Sequence, residues 1–188
     1  MKIKGFCLLF LSFLLGLPSL WAWDLELGGH RTKPQIQPRP QTYKSDAGQS
    51  LIYSPEVTAP IFGQTVTVGL GFEHLWFELA QAQFGYQSHY YLNNVPVSLS
   101  PEVTQSQLGV YFQADRELAG FFIGGGVSQY EESFTYLNEN YSQSGNQLFL
   151  KGGLVLIFGP IRVRADHAFT KLGAHLLQTS SVGLVFHF

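Results

Sequence analysis

The chain is poor in sulfur and in charge. Its one cysteine is Cys7, its one methionine is Met1, and charged residues make up 13% of its 188 positions. A typical soluble domain carries about 25% charged residues. So low a charge excludes a disordered chain, a nucleic-acid binder and a heavily solvated helical protein. No stretch beyond residue 23 shows the 3.6-residue apolar period of an amphipathic helix, and no apolar run reaches the roughly 20 residues of a spanning helix. What the chain does have is 20 glycines, 16 phenylalanines and 9 tyrosines, a composition of strands rather than helices.

Lys2 and Lys4 open the sequence, and an apolar run follows from Phe6 to Leu17. Gly16 and Pro18 break it, and Leu20-Trp21-Ala22 puts a small residue at the expected cut. This is the three-part layout of a secretory signal peptide over residues 1–22, with the mature chain starting at Trp23. Cys7 falls inside the signal, too early to become a lipid-modified N-terminus. Cleavage leaves 166 residues without cysteine, in which nine basic residues face 13 acidic ones for a net charge of −4. One domain over residues 23–188 is expected at this length.

Period-two alternation recurs along the mature chain. Val66, Val68, Leu70 and Phe72 alternate with Thr65, Thr67, Gly69 and Gly71, and Leu108, Val110, Phe112 and Ala114 with Gln107, Gly109, Tyr111 and Gln113. Ile161, Val163, Ala165 and Phe169 alternate with Arg162, Arg164, Asp166 and Thr170. Val182, Leu184, Phe186 and Phe188 alternate with Ser181, Gly183, Val185 and His187. Further strands are expected over 23–30, 76–87, 119–130 and 147–158, which makes eight. Tight turns are expected at Glu73-His74-Leu75, Asp115-Arg116-Glu117 and Phe158-Gly159-Pro160, and longer connections over 31–63, 88–103, 131–146 and 171–179. Short and long connections in alternation predict an up-and-down antiparallel barrel with its tight turns at one end. The Pro-rich stretch 33–40 reads as an exposed, extended part of the first long loop.

The same alternation serves a soluble barrel with an apolar inside and a membrane barrel with an apolar outside. Three features favour the membrane barrel over a soluble, lipocalin-like binder. The polar face is built from Gly, Gln, Thr and Tyr with few charges, unlike a solvated surface, and small residues suit a narrow eight-stranded interior. Aromatics gather at strand ends, with Trp76, Phe158 and Phe188 at the tight-turn end and Tyr86, Tyr90, Tyr91, Tyr130 and Phe134 at the other, as in two interfacial girdles. Finally, the last strand carries its apolar row to Phe188. The row Val182, Leu184, Phe186 and Phe188 resembles the C-terminal signal of bacterial outer-membrane proteins. With the signal peptide and the eight strands, the whole mature chain resembles the small OmpA/OmpX-type barrel family. That resemblance implies an all-β, eight-stranded antiparallel up-and-down transmembrane β-barrel in the outer membrane, bathed in lipid and lipopolysaccharide. It also implies that the last strand is read by the barrel assembly machinery. Nothing in the sequence points to a peptidoglycan-binding domain.

The polar faces carry the chemistry. Arg162, Arg164 and Asp166 share one face of the seventh strand, Lys151 faces inwards from the sixth, and Asp24 and Glu26 from the first. Buried charges must be paired, and Arg can fork to a carboxylate one strand beyond its neighbour. An ionic network that packs the interior is therefore expected in preference to a gate, a proton path or a catalytic carboxylate. A large diffusion pore is not expected from eight strands.

A lipid A deacylase-like barrel enzyme is the competing function, resting on Asp166-His167, His175 and Ser180. Strict alternation sends Asp166 and His167 to opposite faces, and no His-x-Ser arrangement of those deacylases occurs, so no catalytic residue is assigned. His30, His89 and His175 share no ligand-like interval, so no metal or cofactor is expected. Gly124-Gly125-Gly126 lacks a following Lys-Ser/Thr and reads as room for an interior neighbour such as Tyr111. Two residues conflict with the pattern. Glu78 falls on the parity of Ala80, Ala82, Phe84 and Tyr86, read as lipid-facing, so that a bulge between Trp76 and Gln81 turns it inwards, or it lies just outside the hydrocarbon, or the register of that strand is shifted by one. His167 also falls on a lipid face and would be neutral there. The expected role is structural or interactive, through long loops outside the cell.

Overall fold

The computed structural model describes residues 24–37, 39–53, 56–92 and 95–188; the expected signal peptide and Trp23 lie outside them. The described chain is all-β. Its strands are β1 (Asp24–Gln37), β2 (Gln41–Ser45), β3 (Ser50–Tyr53), β4 (Glu56–Phe72), β5 (Leu75–Leu92), β6 (Val95–Leu99), β7 (Glu102–Asp115), β8 (Ala119–Tyr136), β9 (Glu139–Phe158), β10 (Ile161–Leu172) and β11 (His175–His187). Eight of them, β1, β4, β5, β7, β8, β9, β10 and β11, pair antiparallel in that order, and β11 returns to β1. The ends of the described chain are joined, because Phe188 N–H donates to the Leu25 carbonyl at 2.9 Å and Leu25 N–H to the Phe188 carbonyl at 3.2 Å. Closure leaves no open edge at this seam.

Tight connections at one end are as expected. Glu73-His74 joins β4 to β5, residues 116–118 join β7 to β8, and Gly159-Pro160 joins β9 to β10, with Gly159 at a φ of +61°. The other end differs from the expected long loops. Leu137 and Asn138, at φ of +50° and +64°, form a two-residue turn between β8 and β9, and Gly173-Ala174 turns β10 into β11. Residues 131–146 and 171–179 are thus largely strand. The Pro-rich stretch also begins as strand, since β1 runs to Gln37 with Pro34 buried. Ladder hydrogen bonds continue past the lipid boundary, where the outward residues turn polar and the apolar alternation fades. Only the first two connections at this end carry extra elements, the β2–β3 hairpin and β6.

The two faces of the wall are opposite in polarity. Leu25 and Leu27 on β1, Val66 and Phe72 on β4, Phe77 on β5, Leu108, Val110 and Phe112 on β7 and Phe121, Ile123 and Val127 on β8 point outwards. Leu148 to Phe158, Ile161 to Phe169 and Val182 to Phe188 continue the band around β9, β10 and β11 on alternate residues. A soluble barrel would bury these rows; here they face out, as a bilayer requires.

Candidate functional site

The interior is layered. Nearest the tight turns, the Arg162 guanidinium donates to Glu26 at 2.6 Å and approaches Asp115 at 3.2 Å. His187 stands 3.5 Å from Glu26 and 3.7 Å from Asp24. Asp24 marks the rim rather than the interior, with its side chain 52% exposed.

The layer above is centred on Glu78. One of its carboxylate oxygens accepts from Lys151 Nζ at 2.9 Å and the other from Arg164 at 2.6 Å. Asp166 lies 3.7 Å from Lys151, 3.8 Å from Arg164 and 4.0 Å from His30, distances of through-space attraction rather than hydrogen bonding. Of the six charged residues expected inside, Glu26, Lys151, Arg162, Arg164 and Asp166 are buried there. Glu78, Asp115 and His187 were missed. Glu78 is the instructive one: no bulge turns it inwards, because the whole even-numbered row of β5, from Trp76 to Ser88, faces the interior. The lipid-facing row is Leu75, Phe77 and Leu79, then Gln81 and Gln83. The facing of β5 is thus shifted by one from the expected parity, because its inward row is more apolar and aromatic than the outward one above Leu79.

The same inversion applies to the expected girdles. Phe158 and Phe188 do project outwards, but Trp76, Tyr86, Tyr130 and Phe134 are buried inside; the side chains of Tyr90 and Tyr91 lie outside the described residues. Glycines directly opposite them on adjacent strands make room for the interior rings. A Cβ on Gly71 would meet the Trp76 indole at 2.5 Å, one on Gly153 the Phe122 ring at 2.7 Å and one on Gly124 the Tyr111 ring at 2.9 Å. Arg164 stacks 3.8 Å above Phe122, so cations and rings share the layer.

Beyond an apolar layer of Phe84, Val103, Leu172 and Leu177, the β2–β3 hairpin enters the mouth. Tyr43 and Tyr53 on it are fully buried against Phe134, Tyr141 and Leu99. Glu132, also fully buried, accepts hydrogen bonds from Tyr43 at 2.9 Å and from Tyr86. Tyr53 bonds Ser88, and burial pushes its phenol up to about 12. His175 Nδ1 accepts from the Arg39 amide at 2.8 Å, and burial pushes its imidazole down to about 4. β2 is tied to β9 through Lys44–Ser142 and Ser45–Tyr141.

Other expected groupings separate. His30 lies in the Glu78 layer, His89 bonds Ser98 at the surface and His175 sits at the mouth. Asp166 faces in and His167 faces out, where His167 Nδ1 meets Ser180 Oγ at 2.9 Å across the β10–β11 ladder. Ser180 thereby satisfies a histidine on the lipid face. Val182, Leu184 and Phe186 form the outward row of β11, and Phe188, just past its end and bonded to Leu25, continues it.

No protein-family model matches the chain, and no curated protein is similar to it in sequence. Solved structures do match it in fold. OprG of Pseudomonas aeruginosa superposes with a TM-score of 0.60 at 13% identity, over 89% of this chain and 96% of that one. Ail of Yersinia pestis, solved in complex with the heparin analogue sucrose octasulfate, gives 0.57 at 15% identity over 88% and 99%. Neisserial surface protein A gives 0.54 at 12% identity over 88% and 96%. The chain therefore has the fold of the small eight-stranded outer-membrane β-barrels.

Proposed function

We propose that this protein is a non-enzymatic outer-membrane barrel that acts at the cell surface, through the strand extensions and the β2–β3 hairpin, with its interior closed to diffusion. The observation that carries this reading is how the interior polar groups are used. Glu78 is bonded to Lys151 and Arg164, Glu26 to Arg162, and Glu132 to Tyr43 and Tyr86. Groups committed to one another in a layered interior act as structure rather than as a conduction path or a proton relay. Lipopolysaccharide is the partner of the outward band, and the Val182–Phe188 row is the signal for the assembly machinery. Planar-bilayer recording on the purified barrel tests the closed interior. No steady channel is expected from the wild type, and a stable open conductance in it would overturn the reading.

One observation favours a second reading, a hydrolase acting on envelope lipid. The His167–Ser180 hydrogen bond lies on the lipid face, as a nucleophile and its base would. Among the described residues no carboxylate is bonded to His167 to orient it. Mass spectrometry of lipid A from an overexpressing strain decides, since an acyl loss abolished by Ser180→Ala would establish the enzyme.

A further inference from the structure

The wall of the barrel is not evenly joined. The ladder between β1 and β4 ends at Thr32–Gly63, although β1 runs on to Gln37 beside β11 and β4 starts at Glu56 beside β5. The register of β4 on β5 shifts between Ile61 and Gln64, which leaves Phe62 and Gly63 as a bulge at the foot of the parting. Gly63 is pressed onto β5, where a Cβ would strike the Gln83 carbonyl and Phe84. Phe62 is turned the other way and stands 50% exposed on the outer wall. Bulges re-aim side chains in this manner. Across from it, Gly29 has open space where a side chain would stand. Gly29, Arg31, Phe62, Gly63, Gln64 and Val66 line the resulting groove.

Cations cap this groove. The Arg31 guanidinium lies 4.8 Å and the Lys33 ammonium 6.0 Å from the centre of the Phe62 ring. Both are exposed, and among the described residues neither forms an ion pair; the carboxylates that do are held by Lys151, Arg162, Arg164, His30 and His187. They stand where the apolar band of β1 stops, directly above Leu25, Leu27 and Gly29 on the same face. Lys171 follows Phe169 in the same way on β10. The exposed acids beyond the band on the outer wall are Glu102 on β7 and Glu131 on β8, across the barrel, and Glu56, at the far end of β4 seven residues beyond Gly63.

We infer that the β1–β4 groove binds an anionic lipid of the surrounding leaflet that bears a phosphomonoester, with an acyl chain along Gly29 and Val66 and the phosphate between Arg31 and Lys33. This rests on the outer-membrane reading. Arg presents a planar fork to phosphate oxygens and Lys a compact charge, and the ring beneath holds both cations at the boundary. A groove that leads from a charged cap onto Phe62, Gly29 and Val66 and the apolar band below matches an amphiphile rather than a free anion.

Native mass spectrometry of the full barrel in detergent tests the site, with dimyristoyl phosphatidic acid as the probe and dimyristoyl phosphatidylcholine as the control. A single saturable phosphatidic acid adduct is expected, not displaced by millimolar inorganic phosphate. The Arg31→Gln/Lys33→Gln double variant should bind at least about tenfold more weakly, as loss of charge-assisted bonds implies, and Phe62→Ala should also weaken it. Lys44→Gln, on the hairpin, should bind as the wild type does. Equal binding of the two lipids, unchanged binding in the double variant, or equal loss in Lys44→Gln would each overturn the site. Displacement by inorganic phosphate would overturn the lipid as its occupant. Vesicle flotation separates the two readings: a wild type that fails to float refutes the membrane assignment, whereas a floating wild type with indifferent variants refutes the groove alone.

Discussion

Glu78 shows how a single side chain organises the interior. It is 4% exposed and holds two cations from β9 and β10, so its removal leaves Lys151 and Arg164 without their closest acceptor. Breaking a buried pair costs about 3–5 kcal/mol, against roughly 0–1 for a surface pair. Glu78→Gln is therefore expected to lower the urea midpoint of the refolded barrel far more than Asp24→Asn at the half-exposed rim. Arg164→Ala should be partly rescued by Glu78→Gln and not by Glu26→Gln, because Glu26 is bonded to Arg162 instead. A double-mutant cycle in detergent measures this coupling. Equal midpoints for Glu78→Gln and Asp24→Asn would refute the central role of this carboxylate.

Among the elements, the β2–β3 hairpin is expected to be held in a pH-dependent way, through His175. His175 must be unprotonated at Nδ1 to accept from the Arg39 amide, and Tyr43, bonded to Glu132, lies 3.4 Å from its Nε2. Its folded value near 4 lies below the ordinary histidine value of about 6.5. Between these values the unfolded chain binds the proton and the folded one does not, so stability rises with pH across the window. Acidification from pH 6.5 to 4 should thus lower the unfolding midpoint and speed proteolysis within the hairpin. His175→Asn, which keeps an acceptor but cannot titrate, should flatten this contribution. An identical pH slope in wild type and variant would exclude His175 as its source.

On the scale of the whole molecule, the closed ladder and outward apolar band predict a protein that needs detergent for extraction. Unboiled samples should migrate differently from boiled ones on a denaturing gel, because a barrel without free edges gives denaturant no strand at which to begin. Recovery of the untagged protein from the soluble periplasm would contradict the fold's placement in a membrane. So would identical mobility before and after boiling.

The division between sequence and tertiary structure follows from periodicity. Lipid on one side and a packed interior on the other impose a period of two, so β7, β10 and β11, with both rows well contrasted, were legible residue by residue. That is why Arg162, Arg164 and Asp166 on β10 could be placed inside from sequence, and the same alternation over shorter stretches placed Glu26 on β1 and Lys151 on β9. Parity alone does not say which row faces in. On β5 the inward row of Trp76, Ala80, Ala82, Phe84 and Tyr86 is itself apolar, and only pairing with β4 and β7 assigns it to the interior. Beyond the lipid band the outward residues turn polar while backbone hydrogen bonding continues, so strands that look like loops run on to two-residue turns. The partners of each charge were likewise decided by the closed barrel, since Glu78 meets Lys151 and Arg164 across strands separated by 73 and 86 residues of chain. The chain itself determined the number of barrel strands, the polarity contrast and the tight turns at one end, which are local properties. The tertiary fold decided facing, contact and closure, which exist only once distant strands share one barrel.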